Sequence, residues 1–280
     1  MLRIVLHAAL IAGCLIATGW AAESAAAAPS ALPRPAHVVV VIEENKSGFQ
    51  IDRDAHAPYL NRLLHEGAYF TNSHGVTHPS LPNYLALFAG LTNTNQDSCP
   101  AVGFSRGAPN LATELHAAGL SFASYSEGLP QAGSDACWAG RYARKHAPWT
   151  EFNNVSPAAQ LPFSGLPKYE RLPTVAFVIP DLQDDMHDGT IAEGDAWFAS
   201  HLGRLVDWAQ SHDALVVVTW DEGNDPFNTI PTIFAGPMVR QGRYAESIDH
   251  YRVLRTLEDM YGLRHAGLSG AVTPIADCWK

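Results

Sequence analysis

The chain has 280 residues, with 28 acidic against 18 basic side chains and a formal net charge of −10. Apolar residues make up 47% and charged residues 16%, a balance that supports a packed core and excludes disorder as the main state. No run of Lys or Arg stands out, so electrostatic capture of nucleic acid or of an anionic bilayer is excluded as the principal task.

Met1 to Ala28 reads as a targeting segment. Arg3 supplies the positive start, Ile4 to Ile16 is apolar apart from His7, and Ala21 to Ala28 offers small-residue cleavage sites. Export as a periplasmic or secreted protein is expected, with no stable membrane insertion. Ile11-Ala12-Gly13-Cys14 resembles a bacterial lipoprotein box, the alternative in which Cys14 tethers the product. About 250 residues then remain for folding. Of the cysteines left, Cys99 and Cys137 lie in polar, turn-rich surroundings and form the preferred disulfide, with Cys278 left over. Closing that loop contributes at most about 4 kcal/mol. The cysteine spacing matches no zinc ribbon or finger.

Apolar runs then alternate with amphipathic ones. His37 to Ile42 is a continuous β-branched run, as in a strand buried on both faces. Ala57 to His65 has Leu60, Leu63 and Leu64 at helical spacing. Leu81 to Phe88 and Asn110 to Ala118 predict two more helices, the second ended by Gly119. Strands are predicted at Leu120 to Tyr125 and Thr174 to Ile179. An amphipathic helix follows over Asp195 to Ser211, with Asp195 as its N-cap. Ala214 to Trp220 is a clear strand, Pro231 to Ala235 a further one, and His250 to Tyr261 a closing helix. Pro130 to Pro173, rich in Gly, Pro and Trp, reads as a small cap or excursion. The order predicts an α/β sandwich with a largely parallel sheet.

Ligands of such sheets sit at the carboxyl ends of the strands. Three acidic clusters fall there: Glu43-Glu44-Asn45, Asp181 to Asp188, and Asp221-Glu222-Gly223-Asn224-Asp225. Converging carboxylates repel unless a cation or shared protons hold them, so a metal site is the economical inference. Thr77-His78-Pro79-Ser80-Leu81-Pro82-Asn83-Tyr84 permits two readings. Ser80 either caps the following helix or is a nucleophile at its N-terminus, where free N–H groups favour an incoming phosphate. Asn83 would add a side-chain donor and His78 a proton carrier. Gly103-Phe104-Ser105-Arg106-Gly107 matches the serine-hydrolase elbow, but polar, turn-rich residues precede it and Ser105 is read as a loop serine. Tyr142, Lys145 and His146 could reach a ligand from the excursion and are given little weight.

Together these segments resemble the phosphoesterase family of bacterial and fungal acid phosphatases and phospholipases C, within the alkaline-phosphatase-like superfamily. The resemblance runs from Val38 to about Leu263. It rests on the Val-Ile-Glu-Glu-Asn run ending at Asn45, the segment from His78 to Tyr84, Asp185-Met186-His187-Asp188, Thr219 to Gly223, and His250-Tyr251. It implies a three-layer α/β/α sandwich, one phosphoesterase domain over residues 29–280 with an excursion at about 130–173. It also implies a divalent metal held by Glu44, Asn45, Asp221 and Glu222 with the Ser80 hydroxyl, and Asp185 beside them. Oxygen-rich ligands favour Mg²⁺, Ca²⁺ or Mn²⁺, and the histidines admit Zn²⁺. His78, Asn83, His187 and His250 would surround the phosphate of a small phosphorylated substrate, Ser80 would attack it, and one of the histidines would protonate the leaving group. The Val-rich strand ends in Asp-Glu, where the related nucleotide pyrophosphatases have Asp-His. The chain is short for a phospholipase C, which favours the phosphatase branch; a phosphodiesterase on the same core, or a metal-dependent binding module, are the alternatives.

Overall fold

The structure, a computed structural model, describes residues 32–93 and 95–280; the expected targeting segment and Cys14 lie outside them. In chain order its strands are β1 (His37–Glu43), β2 (Ala68–His74), β3 (Phe122–Ser126), β4 (Trp138–Ala139), β5 (Tyr142–Ala143), β6 (Gln160–Pro162), β7 (Val175–Ile179), β8 (Ala214–Trp220), β9 (Thr229–Ala235), β10 (Gly242–Tyr244) and β11 (Ile248–Asp249). Its helices are α1 (Gly48–Ile51), α2 (Pro58–Glu66), α3 (Ser80–Ala89), α4 (Leu111–Ala117), α5 (Ile191–Ala209) and α6 (His250–Tyr261). The main sheet runs β10-β2-β9-β8-β1-β7-β3-β6, with β11 also on β2. It is parallel except at β9, which runs against both β8 and β2.

Alternation along β1 builds the layers. Val38, Val40 and Ile42 pack on one face with Leu81, Leu85 and Phe88 of α3 and Leu254 and Leu257 of α6. Val39 and Val41 pack on the other with Leu60 and Leu63 of α2 and Phe198 and Leu202 of α5. Each such side chain taken fully out of water contributes roughly 1.5–3 kcal/mol. The expected α/β/α sandwich follows from this two-sided burial.

Three expectations are corrected. The long helix begins at Ile191, capped by Thr190 in a capping box with Glu193. Asp195 lies within it, and its carboxylate instead caps α2, accepting from Tyr59 N at 3.1 Å and Leu60 N at 2.7 Å. The Pro130–Pro173 stretch is more than a cap, because its β6 pairs with β3 and forms the sheet edge. Strand β2, absent from the sequence reading, pairs with β9 despite its polar, irregular second half, where the register shifts between Phe70 and Ser73. The Cys99–Cys137 disulfide is present, and Cys278 is buried and free. Among the described residues no helix is long and apolar enough to cross a membrane.

Helix α3, buried at every residue, is fixed at its far end by Gly90 (φ 64°). A Cβ there would lie 2.0 Å from the Ala266 carbonyl, so the close approach of that turn requires glycine. The same turn is held by Glu258 of α6, which accepts from Ala266 N at 2.7 Å and Ser269 Oγ at 2.6 Å. Burial pushes the Glu258 carboxyl up to about 7 despite these bonds. A raised carboxyl contributes stability in full below its unfolded pKa and loses it as the pH climbs through about 7. Glu258→Gln, neutral and near-isosteric, is therefore expected to melt at a temperature that rises relative to the wild type between about pH 5 and about pH 8. Thermal melts of both proteins check this; a constant difference across the range would mean that Glu258 titrates alike folded and unfolded.

Candidate active site

The register of β1 against β8 decides which acids meet. Glu43 stands opposite Trp220, on the α2/α5 face. One residue further on, period-2 alternation turns Glu44 and Asp221 to the α3 face together. Asp221 N donates to Glu43 O at 3.0 Å, and Asn45 N donates to Asp221 Oδ1 at 3.2 Å. Glu44 and Asp221 are both buried. Burial, then the neighbouring Glu44 and Glu222, push the Asp221 carboxyl well above its ordinary range.

Helix α3 brings the hydroxyl to these acids. Ser80 is its first residue and not its cap: the N-cap is Pro79, and Leu81 N is taken by Asp97 Oδ1 at 2.9 Å. Ser80 Oγ is thus free to donate to Glu44 Oε2 at 3.1 Å. One turn on, Tyr84 OH donates to Glu44 Oε1 at 2.7 Å. Pro82 fits the first turn because its missing N–H would have had no helical partner there.

The excursion completes the site. His146, in a short 3₁₀ turn at Arg144–His146, is buried with Nε2 2.9 Å from Glu44 Oε1 and Nδ1 3.4 Å from Asp185 Oδ2. Its ring stacks on Tyr84, centroids 5.0 Å apart. Burial disfavours the imidazolium, but Glu44 and Asp185 outweigh it and raise its pKa. For Glu44, burial raises the pKa and the closer His146 contact outweighs this, so the net direction is down. Asp185 at the longer distance stays raised by its burial. Lys145, also buried, pairs with Asp97 Oδ2 at 2.9 Å.

Asp221 Oδ2 is buried without a hydrogen-bond partner, and Asp185 Oδ2 is met by His146 Nδ1 at no closer than 3.4 Å. Glu44, His146 and Asp185 also offer ligand atoms within 4.8 Å of one another. Carboxylate oxygens clustered in a buried site, with an imidazole among them that can ligate once it gives up its proton, are the donor set of a divalent cation. The residues present therefore fit the metal implied by the sequence.

Other expected residues are placed differently. Glu222 is engaged by His78 Nδ1 at 2.9 Å and Asn83 Nδ2 at 3.4 Å. Asn83, expected to face the phosphate, binds its own loop: Oδ1 accepts from Val76 N and Thr77 N, and Nδ2 donates to the carbonyls of Thr77 and Pro79. His250 is buried behind Asp221, donating Nε2–H to the Asp221 carbonyl at 2.6 Å, and its burial holds it neutral. His187 turns Nδ1 to Asp188 at 2.8 Å, its ring 6.1 Å from His146. Asn45 donates to Glu44 Oε2 at 3.2 Å. Ser105 is an exposed loop residue, as expected. The sequence gives little local sign of His146 and Lys145 and none of Asp97 or the hydroxyl of Tyr84. Its available signal was Arg144-Lys145-His146, three consecutive basic side chains in an acidic protein.

The phosphoesterase family matches residues 50–264 of the chain. The chain belongs to that family. It is 49% identical over 257 residues to a phosphatidylinositol-3-phosphatase of Mycobacterium tuberculosis, a match covering 90% of this chain and 85% of that protein. A phosphate-repressible acid phosphatase of Penicillium chrysogenum is 27% identical over 228 residues, covering 74% of this chain and 55% of the fungal one. The chain thus spans little more than half the length of that fungal relative. Among solved structures, an alkaline phosphatase superfamily protein from Vibrio parahaemolyticus superposes with a TM-score of 0.59 at 14% identity, covering 85% of this chain and 69% of the other. That likeness carries the fold, and the phosphatase relatives mark the phosphoesterase as a hydrolase of phosphoric ester bonds.

A cation that binds only the folded site raises stability by mass action, about 2.7 kcal/mol at about a hundredfold excess over Kd. Adding Mg²⁺, Ca²⁺, Mn²⁺ or Zn²⁺ to the chelated phosphoesterase is expected to raise its melting temperature, and Asp185→Asn or His146→Ala to reduce that rise. Calorimetric melts with and without each ion provide the check. No shift with any of the four would mean that the carboxylates share protons instead.

Proposed function

We propose that this phosphoesterase is a divalent-metal-dependent phosphomonoesterase that works through a phosphoseryl intermediate on Ser80. The observation that carries the reading is the Ser80 hydroxyl, exempt from capping and hydrogen-bonded to Glu44 among buried carboxylates at a helix N-terminus. The dipole of α3 favours a phosphate there. Glu44, Asp185, Asp221 and His146 would hold the metal, with Asn45 and Glu222 at the edge of the set. When bound, it supplies positive charge for the phosphate oxygens and lowers the pKa of a nearby hydroxyl.

The residues of the chain do the rest. The Ser80 proton leaves along its hydrogen bond to Glu44 as Oγ attacks phosphorus and the ester P–O bond breaks. His78, with Nδ1 held by Glu222 and its imidazole half exposed, gives a proton to the departing oxygen. A water then attacks phosphorus, His78 takes its proton, and Ser80 recovers its own as the P–Oγ bond breaks. His250 holds the Asp221 backbone, and Asn83 holds the loop that carries His78. Export through Met1–Ala28 belongs to the same reading. The mycobacterial relative makes a phosphoinositide phosphorylated at the 3-position the first natural substrate to test.

Hydrolysis of p-nitrophenyl phosphate and of bis-p-nitrophenyl phosphate, each with metal added back, is the deciding comparison. A strong monoester preference is expected; a diester preference would move the protein to the phosphodiesterase branch. Ser80→Ala is expected to lose essentially all turnover, a fall of at least about 10³-fold, with its melting temperature near that of the wild type. Turnover at the wild-type rate in that variant would remove Ser80 from the role.

A further inference from the structure

We propose that Lys145 is the phosphate-binding cation that selects monoesters over diesters. The inference rests on the phosphomonoesterase reading and assigns its selectivity to one side chain. Glu44, Asp97, Asp221 and Glu222 lie around the Ser80 segment, and each of them that is ionised repels an incoming dianion. A phosphate monoester carries about two negative charges near neutral pH, whereas a diester carries one. The extra charge needs a fixed cation beside the nucleophile.

Lys145 is placed for that. Asp97 ties it to the nucleophile segment, because Oδ1 holds Leu81 N, next to Ser80, while Oδ2 holds Lys145 Nζ at 2.9 Å. The disulfide between Cys99 and Cys137 joins the Asp97 loop to the hairpin that leads into Lys145. The ammonium is buried and lies within the electrostatic reach of Glu44 and Asp221. It has three N–H donors, yet among the described residues Asp97 is its one hydrogen-bond partner. The remaining donors suit non-bridging phosphate oxygens. Two other basic side chains nearby are committed elsewhere. Arg144 is held by Glu151 at 2.8 Å and by the carbonyls of Asp135 and Thr150, and Lys46 donates to the Met186 carbonyl at 2.6 Å.

The experiment compares the metal-loaded full chain with Lys145→Met, Lys145→Arg and the double variant Lys145→Met/Asp97→Asn, which leaves no unpaired Asp97 charge. Lys145→Met and the double variant are expected to lose roughly 100-fold in kcat/KM on p-nitrophenyl phosphate and less than about 5-fold on the bis ester. Inorganic phosphate should become a correspondingly poorer competitive inhibitor, and Lys145→Arg should restore part of both effects. Equal losses on the two substrates in the double variant would overturn the proposal and make Lys145 structural, as would unchanged monoester turnover. A wild type that prefers the diester would sink the phosphomonoesterase reading instead. The phosphate-competition arm still decides for Lys145 in that case, since unchanged inhibition in Lys145→Met would overturn its role.

Discussion

The parallel pairing of β1 with β8 is the constraint on which the site depends. Two strands that enter the core side by side and end at the same level deliver Glu44 and Asp221 to one face, beneath α3. A carboxylate leaving water for that interior gives up hydration that only opposite charge or donated hydrogen bonds can replace. Every other feature of the site answers that demand. Tyr84 and Ser80 donate to Glu44, His146 sets its ring between Glu44 and Asp185, where it carries a proton until a metal displaces it, and the unpartnered oxygen of Asp221 leaves room for that metal.

The same register keeps a third acid out. Glu43 is one residue from Glu44, and alternation turns it to the opposite face, where it is buried with neither oxygen hydrogen-bonded. Burial and the acids around it, Asp185 first, push its carboxyl well up, which favours the protonated form. Adjacent and identical in sequence, the two glutamates differ because one faces hydroxyl and imidazole donors and the other is buried with no donor and with further acids nearby.

The basic partners come from the least regular part of the chain. The excursion places Lys145 and His146 against α3 through a short hairpin, a 3₁₀ turn and a disulfide, while its β6 anchors it to the sheet edge. A scaffold of strands positions the acids and a loop supplies the counter-charges, a division in which a loop can vary ligand chemistry while the core stays intact.

The sequence by itself determined the layered α/β architecture, because continuous β-branched runs such as His37 to Ile42 can be satisfied only by burial on both faces. It also determined that acids would gather at the strand ends, since residues after a buried parallel strand emerge at one rim, and it marked Ser80 by the helix that follows. The partners across that rim were decided by tertiary structure. Asp195 reads locally as a cap of its own helix and caps α2 instead; Asn83 and His250 read as phosphate ligands and hold loop and backbone. Strand β2 owes its pairing to β9 and not to its own broken alternation. His146 and Lys145 carry no local signature of their partners. Glu44 is 102 residues before His146 and Asp97 is 48 before Lys145. Spacing along a chain describes helices and strands, which are local, whereas a charge is stabilised by whatever folding brings within a few ångströms of it.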